Sequence, residues 1–140
     1  TAYEIGVRLV GSEMCIRDSH NDVPELIAHM SKINGYHTQL FSKYAAKLKA
    51  TPDGDGNLLD HMTIMYGSGI SNSTRHAGNN LPILLLGGGA GRLPSGRHIA
   101  YENEPSLANL LVTLMDKMDV PVDHVGGSTG QLALDSLADL

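Results

Sequence analysis

The chain has 140 residues, 41% of them hydrophobic, a single cysteine and a formal net charge of -5. An acidic balance with no basic stripe gives nucleic acid no electrostatic footprint, and no apolar run approaches the roughly 20 residues of a membrane-spanning helix. One cysteine cannot pair within the chain, so an internal disulfide framework is excluded as well.

In chain order, the first segment is the least protein-like. Leu9-Val10-Gly11-Ser12-Glu13-Met14-Cys15-Ile16-Arg17-Asp18 has no apolar period and no turn chemistry. Turned back into codons it reads CTC GTG GGC TCG GAG ATG TGT ATA AGA GAC, the end adapter of a transposase-made sequencing library, and the remaining bases begin Ser19. Thr1-Ala2-Tyr3-Glu4 fits the start of the same oligonucleotide in the same frame, so residues 1 to 19 read as translated adapter and are set aside from fold reasoning. They include Cys15, and their charges (Arg8 and Arg17 against Glu4, Glu13 and Asp18) sum to -1, leaving about -4 on the rest. Residues 20 to 140 are expected to be one fragment of a larger α/β domain whose native N-terminal part lies upstream of His20.

Asp22-Val23-Pro24-Glu25 has the form of a capping box with proline in the first turn. Leu26, Met30, Ile33, His37, Leu40, Tyr44 and Leu48 then recur at steps of three and four, which predicts an amphipathic helix to about Ala50. Gly35 within it predicts close packing at that point. Thr51 to Gly56 turns the chain. Asp53-Gly54-Asp55-Gly56-Asn57 has acidic residues at alternate positions, but an EF-hand needs glycine and glutamate where Leu58 and Ile64 stand, so a solvated turn is the better reading.

Met62–Tyr66 and Pro82–Leu86 are continuous apolar runs ending in Gly67-Ser68-Gly69 and Gly87-Gly88-Gly89, which predicts strands covered on both faces. The second glycine run meets neither nucleotide-loop spacing. Arg97–Ala100 is read as a short edge strand. A second helix is expected from about Pro105, carrying Leu107, Leu110, Leu111, Leu114, Met115 and Met118, with Pro121 beyond its end; the tail after it has no assignable pattern. Helix, strand, strand, helix points to an α/β layered fold.

Among the histidines, His29 and His37 fall on the first helix, and His20, His98 and His124 have no clear context. His61 is placed at the start of the first strand. Six intervening residues at about 3.3 Å each would hold it roughly 20 Å from Ser68. His76 lies in the long polar connection between the two strands, together with Ser68, Ser71, Asn72, Arg75 and Asn79. These side chains could meet a metal, an oxyanion or a sugar, with His76 as the candidate metal ligand. The same connection reads equally as an ordinary polar surface loop, since it holds no carboxylate to complete a metal site.

The run LLDHMTIMYGSGISNSTRHAGNNLPILLLGGGAGRLPSGRH (residues 58 to 98), with LANLLVTLMDKMDVPVDHVGGSTGQL near the end, resembles a bacterial family catalogued as domain of unknown function 1552 and named for a His-x-x-Ser-His-His motif. The resemblance spans residues 20 to 140 and implies the C-terminal part of an exported protein, periplasmic or extracellular, with the naming motif upstream. More distantly, the family is similar to the alkaline-phosphatase and sulfatase superfamily. His76 followed by Leu81-Pro82 and a strand matches the late metal-binding histidine there, whereas Gly67-Ser68-Gly69 stands where an Asp-His metal pair is usual. The implied fold is the C-terminal part of a layered alkaline-phosphatase-like sheet with flanking helices. Two functions follow from the resemblance. One is a divalent-metal-dependent hydrolase of phosphate or sulfate esters, inactive as a fragment and with its small-molecule or polymer substrate unspecified. The other is a non-catalytic exported binding or scaffold protein that keeps the hydrolase-like fold.

Overall fold

The structure, a computed structural model, describes residues 23 to 134 apart from Ser73, Ser95 and Glu102. The adapter-like segment, His20 and the expected cap Asp22 lie outside the described residues. The chain is mixed α/β: helix α1 (Pro24–Ala50), strands β1 (Pro52–Asp53) and β2 (Gly56–Asn57), helix α2 (Leu58–His61), strands β3 (Ile64–Gly67) and β4 (Ile83–Leu86), a 3-10 turn (Gly89–Gly91) and helix α3 (Leu107–Lys117). It divides into two units, residues 1 to 46 with 67 to 83, and residues 47 to 66 with 84 to 140.

In the first unit α1 forms where the apolar period predicts it, but its stripe is largely bare. Ile33, Tyr36, Leu40 and Tyr44 are between 43% and 59% exposed. Gly35 is not a packing point either. A Cβ there would meet nothing within 4 Å, because the residue faces open space.

The second unit holds the core: Leu48, Leu93, Leu110, Val112, Leu114 and Leu134 are buried, Val112 to 2% exposure. Helix α3 starts at the N-cap Ser106, whose Oγ accepts from Ala108 N at 3.2 Å, and closes with Lys117 in its last turn. The tail that the sequence left unplaced is held to this helix by polar bonds. Thr129 N donates to Asn109 Oδ1 (2.9 Å) and Leu132 N donates to Thr113 Oγ1 (2.7 Å); a further bond to the tail comes from the segment before the helix, Tyr101 Oη donating to Ala133 O (2.7 Å).

Several expected boundaries shift. Strands β3 and β4 pair as an antiparallel ribbon: Ser68 N donates to Pro82 O beyond one end, and Gly89 N to Met62 O beyond the other. Burial alternates along β3, and Met65 (41%) and Leu84 (48%) are exposed, so the strands are not covered on both faces. A two-stranded ribbon leaves one face open whatever its composition. Arg97–Ala100 forms no strand, having no ladder partner among the described residues. The glycine run after β4 is a packing feature. A Cβ on Gly87 would strike Met62 O and one on Gly88 would lie 2.6 Å from Asp60 O, so the backbone passes α2 at a distance no side chain permits. The amides there are committed as well, Gly88 N to Leu59 O (2.9 Å) and Gly89 N to Met62 O (3.0 Å).

Candidate functional site

The polar connection between β3 and β4 is built largely by its own side chains. Ser68 Oγ donates to Ile70 O (2.7 Å) and accepts from Ile70 N (3.2 Å), closing a tight serine turn. Ser71 N donates to Ala77 O (2.9 Å) and Ala77 N to Asn72 O (3.0 Å), which pinches the loop into a small antiparallel bridge. Inside that bridge Asn72 Oδ1 accepts from Arg75 N at 2.9 Å, an Asx turn. Ser68, Ser71 and Asn72 are thus engaged with local backbone. Arg75, His76 and Asn79 are exposed, and His76 sits in the left-handed region at φ 49°. The structure brings the six expected residues into one loop, and adds no acid to them. Among the described residues no three His, Cys, Asp or Glu side chains converge as the ligand set of a metal.

A second polar constellation lies in the other unit, where the sequence showed only a turn. Asp53 and Asp55 flank Gly54, whose φ of 59° matches the first central residue of a two-residue hairpin turn. Asn57 caps α2: its Oδ1 accepts from Leu59 N (3.0 Å) and Asp60 N (3.2 Å), while Asp60 Oδ2 accepts from Asn57 N (3.1 Å). His61 is consequently the last residue of α2, not the start of β3. Its imidazole meets both turn carboxylates, Nδ1 at 2.9 Å from Asp53 Oδ2 and Nε2 at 3.2 Å from Asp55 Oδ1. The Asp53 hydrogen bond raises its pKa above the ordinary histidine value, opposed by a smaller loss of hydration and helped by the charges of Asp53 and Asp55.

Chemically this trio is constrained. The carboxylates approach opposite ring nitrogens, so they cannot share one ion with the imidazole. With a carboxylate at each nitrogen, neither nitrogen faces a nucleophile as a general base would. His61 also forms part of a cavity of about 370 Å³ with Thr63, Arg92, Leu114, Lys117 and Asp119. The Arg92 guanidinium there is already employed. Its Nη1 donates to Lys117 O (2.8 Å) and pairs with Asp119 Oδ2 (2.6 Å), closing the C-terminal end of α3.

The signal for this trio was present as Asp53-x-Asp55 followed by His61, but the short helix that returns the histidine to the turn carries no periodicity. No family model, curated protein or solved structure matches the chain.

Proposed function

We propose that residues 20 to 140 are the C-terminal part of an exported bacterial protein of the His-x-x-Ser-His-His type, and that this part has a non-catalytic, binding or scaffold role. The observation that supports this reading is the β3–β4 loop itself. Ser68, Ser71 and Asn72 stabilise the loop's own turns, and no carboxylate in the loop stands ready beside His76.

A second reading has one observation in its favour. His76 is exposed at a positive φ of 49°, a conformation costing a non-glycine residue roughly 1 kcal/mol or more and found more often at functional sites. In that reading the whole protein is a metal-dependent hydrolase of phosphate or sulfate esters. His76 supplies one imidazole, and the other ligands and the remaining strands of an alkaline-phosphatase-like sheet come from polypeptide upstream of His20.

The deciding experiment uses the complete native protein, purified without chelators from the periplasm or medium. Metal content and hydrolysis of aryl phosphate and sulfate esters are measured for the wild type and for His76→Ala. No stoichiometric metal and no His76-dependent turnover is the expected result. Loss of both metal and turnover in the variant would replace the first reading by the second.

A further inference from the structure

We propose that His61, Asp53 and Asp55 form a protonation-controlled clasp that holds the Gly54-Asp55 turn onto α2 while the imidazole is cationic and releases it when a proton leaves. The argument rests on counting donors. Two carboxylates accept, and an imidazole satisfies both only with a proton on each nitrogen, at 2.9 Å toward Asp53 and 3.2 Å toward Asp55. A neutral ring has one N–H, so its other nitrogen turns a lone pair toward a carboxylate oxygen, and one contact must open.

The structure indicates which. Asp53 belongs to β1, where it pairs with Gly56 in the ladder, and its contact is the shorter. Asp55 is 97% exposed at the turn tip and makes the longer contact. Deprotonation therefore leaves the Asp53 bond in place and frees Asp55 with the turn. Asp60, on the same helix, is tied to Asn57; the 3-10 turn Gly89–Gly91 has no ionisable side chain; and across the cavity stand Arg92, Lys117 and Asp119, of which Arg92 and Asp119 neutralise each other. The clasp is closed while the ring keeps both protons and opens as pH rises through a His61 pKa that the Asp53 hydrogen bond holds above the ordinary histidine value. Its opening also removes one tether from a ring that lines the cavity.

The test is side-chain nitrogen NMR of His61 in this chain between about pH 5 and pH 9, with the Asp55 and Gly56 backbone amides followed in parallel. The expected result is a ring midpoint above the ordinary histidine value, with both nitrogens protonated below it, and turn amides that shift with the same midpoint as the ring. Asp55→Asn should uncouple the turn amides from that midpoint while the far-ultraviolet circular dichroism stays that of the wild type, and Asp53→Asn should lower the midpoint more than Asp55→Asn does. A ring midpoint at or below the ordinary histidine value, or turn amides indifferent to its titration, would overturn the proposal.

Discussion

Asn109 and Thr113 are the two buried polar side chains among the described residues, one helical turn apart on the core face of α3. Their main partners lie in the tail, Asn109 meeting Thr129 and Thr113 meeting Leu132. Thr113 Oγ1 accepts from Leu132 N at 2.7 Å and donates to Leu132 O at 2.9 Å. Thr113→Val keeps the shape and removes both bonds, leaving a part-buried donor and acceptor without partners. The expected cost is about 1–3 kcal/mol, read as a lower denaturant midpoint with an unchanged slope. His61 adds a pH dependence of known sign. Its folded pKa is raised, so its contribution to stability is complete below the unfolded value near 6.5 and disappears as pH rises through the folded pKa. The melting-temperature difference between wild type and His61→Gln should accordingly be larger at pH 6 than at pH 9, by thermal denaturation in matched salt.

The elements differ in how far the sequence revealed them. Helices α1 and α3 repeat their apolar spacing over several turns, so their extents were legible to within a few residues. Met62–Tyr66 and Pro82–Leu86 were legible as strands, but a short apolar run has no feature that says which face will be covered, so the exposure of Met65 and Leu84 was not legible. Helix α2 has four residues, too few for a period. Its one signal, Asn57 with Asp60 three residues on, was absorbed into the acidic turn. The candidate loop was legible as a collection of polar residues; that Ser68 and Asn72 bond back to local backbone was not, because composition does not distinguish a turn-former from a ligand contact. Gly35 shows the same limit in a helix. A glycine in a period was taken for close packing, yet its surroundings are open. Gly35→Ala should therefore stabilise the chain by about 1 kcal/mol through helix propensity, seen as a raised melting temperature.

At the scale of the whole molecule, the buried residues gather in the second unit. Ile33, Tyr36, Leu40 and Tyr44 on α1, with Met65 and Leu84 on the two-stranded ribbon, leave apolar surface uncovered among the described residues. On the adapter reading of residues 1 to 19, sequencing the source DNA upstream of the His20 codon should show coding sequence other than the codons for Thr1 to Ser19. Finding those nineteen codons in the genome would refute the adapter reading. The closure of α3 bears on how such a chain folds in time. Ser106 caps the start of the helix from the adjoining residue, whereas Arg92 reaches Lys117 O across 25 positions. The first contact is available as soon as the helix nucleates, the second only after the segment carrying Arg92 has docked beside α2. Arg92→Ala should then leave the refolding rate nearly unchanged and accelerate unfolding, so that the last turn of α3 acts as a latch engaged late and sets how long the native state persists.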